Sequence, residues 1–379
     1  MSARTVLVLP AWYPTPERPL AGPFTRDHAR AAATFGHRMV VFLDEGPVSG
    51  LRGLFELSEE QDGALRVVRF RYRPGTGRLV HLPGLLLLAR RLAGGGSSVD
   101  LIHAHIHRMA WPAAILGGLL RRPFVVTENS SEWPRGTIEP GALRRARIAF
   151  PRAALVCPVN ERLRQAIEGY GVRGSFRVVP NTVDTAVFHP PDTRAAGPPT
   201  RLVNVAGHVK VKALDVLLRA FARAAARRPE LRLELIGEGP LTGELQALAR
   251  DLGLGDRVRF AGTATPAEIA ETLRASDVFV LSSLSENMPL AVLEALCCGL
   301  PVAATDAGGI PEAVCEDGVL APPGDPESLS GAILTVVDQH GRFDAADIAR
   351  RAAARWSFEA VGGIWDEIYR SLRPRQTPR

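Results

Sequence analysis

The chain has 379 residues, of which 46% are hydrophobic and 23% are charged, and this composition fits two folded domains rather than a disordered chain. No run of eighteen apolar residues is free of charge, so no membrane-spanning helix is expected, and we expect a cytoplasmic protein of enzyme size. The formal net charge of +6 is unevenly divided: residues 1–185 carry 25 arginines against 15 acidic residues, which gives +10, whereas residues 186–379 carry a net −4.

The excess of arginine in the first half predicts an anionic partner. A phosphorylated acceptor and the inner face of a membrane both fit, and so does an arginine-rich face that is merely solvated. The arginines are scattered, and no zinc-finger, RNP or basic-region pattern accompanies them. Nucleic acid is therefore not expected as a partner.

Apolar runs alternate with helical patterns along the first half of the chain. Strands are predicted at residues 5–10, 39–44, 66–72, 101–105, 124–127, 155–159 and 176–179, and helices at 24–35, 85–93, 110–120 and 160–170. Near-continuous apolar strands that are separated by helices indicate a parallel sheet covered on both faces.

A proline-rich segment, residues 189–200, interrupts this pattern and is predicted to be an interdomain linker. The alternation then restarts, with strands predicted at 201–206, 231–237, 257–260, 278–281, 301–304 and 319–321, and helices at 213–227, 241–252, 266–275, 289–298, 326–338, 344–355 and 357–372. The fold class is therefore α/β, with two doubly wound, Rossmann-like domains at 1–188 and 201–356 and a closing helix within 357–379. Since such sheets bind ligands outside the carboxyl ends of their strands, we expect the site in a cleft between the domains.

Motifs of several common enzyme classes are missing from the sequence. Because no GxGxxG, GxxxxGK[ST] or GxSxG pattern follows a predicted strand, dehydrogenases, P-loop NTPases and α/β-hydrolases are disfavoured. The alternating His103, His105 and His107 span a long stretch of strand, so a metal site is not the favoured interpretation. We expect no metal and no cofactor, and His105, at the end of a strand, is expected to line the cleft.

Lysine occurs at only two positions, Lys210 and Lys212, whereas the other 44 basic residues are arginine. A compact ammonium and a planar guanidinium bind phosphate differently. Two lysines that survive in an arginine-biased chain, two residues apart, therefore indicate a role for an ammonium group, with chance as the alternative.

The strongest constellation is the segment 285–295, which follows a predicted buried strand. Glu286 precedes a predicted helix, and Glu294 lies about two turns inside it. A carboxylate at that point can accept two hydrogen bonds from a vicinal diol such as that of a ribose. The alternative is that Glu286 only caps the helix and Glu294 lies on the surface.

The start of that helix is a candidate anion site. Pro289 suits the first helical position, which leaves the backbone N–H groups nearby directed toward a ligand. The residues concerned are Asn287, Met288, Pro289 and Leu290. Together with the two carboxylates, this arrangement suits a nucleoside diphosphate sugar.

The segment resembles the E-x7-E motif of the retaining glycosyltransferases of the GT-B fold, family 4. Further stretches resemble that family: GGIPE at 308–312, LIGEGP at 235–240, VPNTVD at 179–184, and the WYP…GPF opening at 12–24. The resemblance covers nearly the whole chain. It implies transfer of a sugar from a UDP- or GDP-linked donor to a hydroxyl of a glycan, glycolipid or similar acceptor, with retention of configuration and without a metal. Such an acceptor suggests polysaccharide biosynthesis.

The resemblance also implies roles for individual residues. Glu294 would hold the ribose hydroxyls, Glu286 would contact the transferred sugar, and Lys212 would neutralise the leaving diphosphate. A leaving phosphate oxygen would deprotonate the acceptor. The remaining donor contacts would come from Gly207, His208, Lys210, Gly237, Glu238, Gly262 and the helix start at 287–290. Gly22, Pro23, Phe24, His105 and Asn129 would lie in the cleft on the acceptor side.

Two positions depart from the family pattern. The family usually has an arginine shortly before the lysine, whereas Gly207 or His208 occupies that place here, so His208 or Lys210 would have to supply the second cation. The family often has a histidine after the fifth strand, where this chain has Asn129. Asparagine can bind a hydroxyl of the acceptor or of the sugar, but it cannot take up a proton.

Two alternatives compete with a transferase. The departures would suit a nucleotide-sugar-binding partner subunit without activity, and a sugar epimerase or phosphorylase of the same fold would not transfer to an acceptor hydroxyl. The segment 79–92, with arginines nearby, is predicted to be either an interfacial helix at a membrane or a core helix with a basic rim. In the first case the acceptor would be a lipid.

Overall fold

The computed structural model describes residues 3–15, 21–94, 98–192 and 200–372. The chain divides into two compact units: Met1–Thr182 together with Phe358–Arg379, and Val183–Ser357. Residues 183–188 therefore pack with the second unit, where the Val183 N–H donates to the Trp356 carbonyl at 2.7 Å. Most of the predicted linker, at 193–199, and the end of the chain, at 373–379, lie outside the described residues.

The first unit is built on a seven-stranded sheet. Its elements in chain order are β1 (Thr5–Leu9), α1 (Pro23–Ala33), β2 (Arg38–Pro47), β3 (Phe55–Asp62), β4 (Leu65–Tyr72), α2 (Gly77–Gly94), β5 (Leu101–His105), α3 (His107–Leu120), β6 (Phe124–Glu128), α4 (Glu132–Arg135), α5 (Pro140–Ala149), β7 (Leu155–Pro158) and α6 (Glu161–Gly169). The strand order is β3-β4-β2-β1-β5-β6-β7, and every pair is parallel except β3 with β4. β1, β5 and β6 are buried over their full length, as their apolar sequences predict.

Three predictions for this unit need correction. β3 was not predicted, because its charged sequence is that of a half-exposed edge strand and not of a buried one. Residues 176–179 do not form a strand and approach β7 through an isolated bridge between Val156 and Phe176. Helix α2 begins at Gly77 and passes through Pro83, which removes one backbone donor but leaves the apolar contacts of Leu85 and Leu88 in the core.

The direction of each connection assigns the helices to the two faces of the first sheet. The connection through α1 runs from β1 toward β2, whereas those through α2, α3 and α5 run the opposite way along the sheet. Because crossovers between parallel strands are right-handed, opposite directions cover opposite faces. The packing agrees, since α2 contacts α3 and α3 contacts α5. No helix in the described part of the chain combines the length and apolar content that a bilayer crossing requires.

The second unit is built on a six-stranded, fully parallel sheet. Its elements are β8 (Arg201–Val205), α7 (Leu214–Arg227), β9 (Arg232–Ile236), α8 (Thr242–Asp251), β10 (Val258–Gly262), α9 (Pro266–Arg274), β11 (Val278–Leu281), α10 (Leu290–Cys297), β12 (Val302–Thr305), α11 (Ile310–Val314), β13 (Gly318–Ala321), α12 (Pro326–Asp338) and α13 (Ala345–Trp356). The strand order is β10-β9-β8-β11-β12-β13. The chain winds outward in both directions from β8 and β11, so the topological switch point lies between these two strands.

The final helix, α14 (Phe358–Ser371), belongs to the first unit and packs on α1. The two helices approach closely, because a Cβ on Gly362 would lie 2.3 Å from the Ala31 carbonyl oxygen. The indole N–H of Trp365 donates to His28 Nδ1 at 2.9 Å across the same contact. The predicted return of the closing helix to the first domain is confirmed.

Candidate functional site

The switch point of the second sheet carries the two residues predicted to be catalytic. Lys212 ends a 3-10 turn that follows β8, and Glu286 lies in the loop after β11, so adjacent strands bring both side chains to one place. The Lys212 ammonium forms an ion pair with the Glu286 carboxylate, which also accepts a hydrogen bond from the Ser283 hydroxyl at 2.7 Å. The lysine side chain is 24% exposed and the glutamate 12%, so both remain open to a ligand.

Hydrogen bonds at the strand ends hold this pair in position. The Ser282 hydroxyl donates to the Lys212 carbonyl at 2.8 Å, which ties the lysine turn to the end of β11. The Thr305 hydroxyl, at the end of β12, donates to the Ser283 carbonyl at 2.6 Å. Three neighbouring elements therefore fix the main chain on either side of the ion pair.

A glycine after β12 completes the support beneath Glu286. Gly308 has φ +54°, and a Cβ at this position would lie 1.5 Å from the Glu286 carbonyl oxygen. A side chain therefore cannot be accommodated without displacing the glutamate. The GGIPE sequence was singled out as a motif, but its glycine was not predicted as a site residue.

The helix start differs by one residue from the prediction. Pro289 has extended backbone angles and precedes α10, whose first residue is Leu290. The N–H groups of the first turn therefore begin at Leu290, and proline itself offers none. Asn287 and Met288 are buried, and Glu294 lies half-buried in the second turn of α10.

A second cluster of predicted residues surrounds the ends of β8, β9 and β10. Gly237 has φ +127°, and a Cβ there would lie 2.1 Å from the Ala206 carbonyl oxygen, so only glycine permits this approach of two loops. The Gly237 N–H donates to the Gly262 carbonyl at 2.7 Å, and the His208 N–H donates to the Glu238 carbonyl at 3.0 Å. Sequence reasoning therefore correctly grouped residues that are far apart in the chain.

His208 is not the second cation that was expected. Its side chain is 1% exposed, and Nδ1 is hydrogen-bonded to the Thr242 hydroxyl at 2.8 Å. Burial lowers the pKa of His208, so its ring is neutral at pH 7. Gly207 beside it is half-buried, and Lys210 is exposed, so Lys210 is the accessible cation near Lys212.

The loop after β1 folds back on itself in the first unit. Gly22 has φ +66° and precedes α1, and a Cβ there would lie 2.6 Å from the Trp12 carbonyl oxygen. Pro23 is the first residue of α1, and Phe24 is half-buried behind it. The glycine is therefore required for the loop turn, whereas the Trp12 side chain is 44% exposed.

The structure overturns the prediction that His105 lines an open surface. Its side chain is 1% exposed and stacks on His103, with the ring centroids 4.3 Å apart. Neither of its ring nitrogens has a hydrogen-bond partner among the described residues, and burial lowers its pKa well below the ordinary value. His103 bonds to the Tyr369 and Thr127 hydroxyls, each at 2.7 Å. The reason for the error is that β5 is buried right up to its last residue.

Asn129 lies at the end of β6 beside a buried carboxylate that sequence reasoning missed. Its amide donates to the Asn181 side-chain oxygen at 3.3 Å. The preceding Glu128 is fully buried and accepts from the His107 N–H at 2.7 Å and the Ser130 N–H at 2.8 Å. Glu128 therefore joins the start of α3 to the end of β6.

A groove of about 1080 Å³ opens on the first unit. Five of the side chains that line it can bind an anion or stack on a ring: Tyr72, His81, Arg108, Trp111 and Arg145. His81 is hydrogen-bonded to the Asp44 carboxylate at 2.6 Å, which raises its pKa, and Arg108 is ion-paired with Glu132 at 2.6 Å. These residues come from several helices and strands, and no local motif in the sequence brings them together.

Two Rossmann-like units and a closing helix that returns to the first unit define the architecture of GT-B glycosyltransferases. HepE from Anabaena, solved with UDP, aligns with a TM-score of 0.76 at 21% identity, covering 97% of this chain and 100% of that chain. Sucrose-phosphate synthase from Thermosynechococcus elongatus aligns with a TM-score of 0.71 at 21% identity, covering 97% and 98%. At this identity the likeness establishes the fold.

Sequence comparisons identify the family. The model of "Glycosyltransferase Family 4" matches residues 21–187, and that of "Glycosyl transferases group 1" matches residues 199–339. The D-inositol 3-phosphate glycosyltransferase of Corynebacterium jeikeium is 31% identical over 74% of each chain, and a namesake from Catenulispora acidiphila is 30% identical over 73% of each. The chain belongs to the group 1, family 4 glycosyltransferases.

Proposed function

We propose that the protein transfers a sugar from a UDP- or GDP-linked donor to the hydroxyl of an acceptor that carries an anionic group, with retention of anomeric configuration. The observation that carries the proposal is the Lys212–Glu286 pair at the switch point of the second sheet. The solved relative HepE is described in complex with UDP and with UDP-glucose, which supports a nucleotide-sugar donor.

The donor contacts follow from the placement of the second-unit residues. Glu294 would accept hydrogen bonds from the two ribose hydroxyls, and the first-turn N–H groups of α10 would face the diphosphate or a sugar hydroxyl. The loops of Gly237, Glu238 and Gly262 would border the base. Glycines there permit the main chain to approach a flat ring closely.

The reacting groups are Lys212 and Glu286. As the bond from the sugar to the diphosphate breaks, negative charge grows on the leaving phosphate oxygen, and the ammonium of Lys212 stabilises it. Glu286 would bind a hydroxyl of the transferred sugar, and its ion pair with Lys212 holds both groups before the donor arrives. The leaving oxygen would take the proton of an acceptor hydroxyl that attacks from the same face, which gives retention without a metal ion in the step.

The groove on the first unit is the proposed acceptor site. Arg108, Arg145 and His81 can together bind a phosphate, and Trp111 offers a flat apolar surface for a ring. Relatives that match over most of the chain are named for D-inositol 3-phosphate, an acceptor with a phosphate on a polyhydroxylated ring. A sugar phosphate or a lipid-linked glycan phosphate has the same chemistry.

A thermal-shift panel with UDP, GDP, ADP and their common sugars tests the donor site. A ligand at a hundred times its dissociation constant should stabilise the protein by about 2.7 kcal/mol. The expected result is a shift with one nucleotide that Glu294→Ala abolishes and Glu327→Ala, an exposed change on α12, leaves intact. A wild-type protein that no nucleotide stabilises would overturn the proposal.

Turnover tests the reaction itself. Release of nucleoside diphosphate should depend on added acceptor, with myo-inositol 3-phosphate and sugar phosphates as the first candidates. NMR of the product should show the anomeric configuration of the donor. Inversion, or release of free sugar at the same rate without acceptor, would contradict the proposal.

A further inference from the structure

One face of the first sheet is covered by three helices of unusual composition. Helices α2, α3 and α5 share this face, and by sequence none of them contains Asp or Glu. On the opposite face, α1 contains one carboxylate and α14 contains three. In the second unit, each described helix of at least eight residues also contains Asp or Glu. We call this acid-free surface the α2–α3–α5 face.

Exposed arginines run across all three helices of this face. Their positions are Arg90 and Arg91 on α2, Arg108 on α3, and Arg144, Arg145 and Arg147 on α5. Arg121 and Arg152, also exposed, extend the row just beyond the ends of α3 and α5. Two carboxylates border the face: Glu132, which is ion-paired with Arg108, and Glu139, which precedes α5. The net charge of the surface is strongly positive.

The same face also exposes large apolar side chains between the arginines. Half of the exposed large apolar residues in the described chain lie here: Leu79, Leu82, Ile115, Leu119 and Ile148. Leu79 is 76% exposed and Leu119 is 56% exposed, and they lie on two different helices of the face. Exposure of several aliphatic groups within one charged surface is typical of an interaction site.

We infer that the α2–α3–α5 face binds the surface of an anionic lipid bilayer. Arginines near such a surface each strengthen binding several-fold by attraction to the lipid head groups. The leucine and isoleucine side chains can enter the boundary between head groups and acyl chains, where their burial adds to the electrostatic attraction. Aliphatic side chains favour lipid over nucleic acid, because single strands are bound by aromatic stacking and duplexes by polar contacts to the phosphates.

The position of the acceptor groove is consistent with this docking. The groove is lined by His81 of α2, by Arg108 and Trp111 of α3, and by Arg145 of α5, so the same three helices form its walls. A membrane-bound protein would therefore meet phosphate groups of the lipid surface at the mouth of this groove. Docking does not depend on the proposed transfer reaction, because it requires only the outer surface of the first unit.

Co-sedimentation with vesicles tests the inference on the full chain. The protein should bind vesicles of phosphatidylcholine mixed with phosphatidylglycerol, and binding should fall steeply as salt is raised. Vesicles of phosphatidylcholine alone should bind at least tenfold more weakly. Equal binding to both, or absence of binding to the anionic vesicles at low salt, would overturn the inference.

Variants outside the groove separate the surface from overall charge. Arg91→Glu with Arg144→Glu should weaken binding to anionic vesicles at least tenfold, and Leu79→Ser with Leu119→Ser should weaken it about threefold. Arg219→Glu with Arg227→Glu, which makes the same charge change at exposed positions of α7, is the control and should retain nearly full binding. Loss of binding in the control to the same extent would contradict a specific face.

Two further measurements make each result decisive. Melting curves confirm that every variant is folded, and a nucleotide thermal shift that is unchanged in all of them keeps the donor site separate from the docking face. Competition with duplex DNA addresses the other anionic partner. Displacement from vesicles by DNA at equal phosphate concentration would assign the face to nucleic acid and overturn the inference.

Discussion

The carboxyl edge of the second sheet is built from close main-chain contacts, whereas that of the first sheet is built from long side chains around open grooves. At the second edge, a methyl group on Gly237 or Gly308 would collide with a carbonyl oxygen. At the first edge, arginine, histidine and aromatic side chains from several helices line a groove of about 1080 Å³. A tightly defined edge suits a ligand that is common to a family, and an open one suits a ligand that varies among its members.

Replacement of Lys212 is expected to have the largest effect on this comparison. Lys212→Ala should lower kcat by 10² to 10³ because it removes a charge that stabilises the leaving diphosphate. Steady-state kinetics should show an unchanged KM for the acceptor, since the first unit is untouched. Lys210→Ala, at the exposed lysine two residues earlier, should cost much less. Equal losses in the two variants would show that the ammonium acts through general charge alone.

Acid should weaken the first unit, because its sheet contains buried neutral histidines. Burial lowers the pKa of His28 to about 4, and it lowers those of His103 and His105 well below 6.5. Between pH 6.5 and pH 4 the unfolded chain therefore binds protons that the folded chain does not. The free energy of unfolding should fall in this range as pH falls, by about 3 kcal/mol for His28 alone. Above pH 6.5 this contribution should be constant.

Urea unfolding at several pH values measures that effect. His28→Gln should reduce the dependence on pH between 4.5 and 6.5 by comparison with the wild type. His189→Gln, at an exposed position, should leave the dependence as it is. Hydrogen exchange at low pH should open the first unit before the second. If stability is flat over this range, the histidines are not neutral and buried as described.

Loss of the buried Glu128 carboxylate should disturb the first edge more than the second. Glu128→Gln would leave one of the backbone donors of His107 and Ser130 without an acceptor, at a cost of about 2 kcal/mol. The melting temperature should fall and the KM for the acceptor should rise, because α3 carries part of the groove. Glu139→Gln, an exposed change before α5, is the comparison. A rise in the KM for the donor alone would contradict the assignment of roles.

Arg145 provides the smallest of these effects. Arg145→Ala should raise the KM for a phosphorylated acceptor about tenfold, which corresponds to about 1.4 kcal/mol of binding energy. The KM for the donor should not change. Arg144→Ala, its exposed neighbour, should leave the KM for a water-soluble acceptor nearly unaltered. Identical behaviour of the two variants would remove Arg145 from the acceptor site.

The parts of the molecule that could be predicted from sequence are those specified locally. Buried parallel strands such as β5 and β11 are continuous apolar runs, and the order of strands and helices was enough to define the fold. The contact between the loops of Gly237 and Gly262 was accessible because family motifs marked both. The exchange of Pro289 for Leu290 as the first helical residue is a boundary difference that cap geometry decides.

The first-unit site could not be predicted because its residues come from distant segments. His81, Arg108 and Arg145 lie on three helices, and only their packing brings them to one groove. His105 was misjudged because the end of a strand can be covered by its neighbours, here by His103 and the closing helix. Glu128 gave no signal, since a buried carboxylate and an exposed one look alike in a sequence.

The most direct test of the account is the rate of nucleoside diphosphate release by Glu286→Gln in the presence of donor and acceptor. The side chain is isosteric, so the fold and the support from Gly308 should persist, but the ion pair with Lys212 is lost. The account predicts a rate at least a hundredfold below that of the wild type, with nucleotide binding retained. A Glu286→Gln variant that turns over at the wild-type rate would show that the reaction takes place elsewhere.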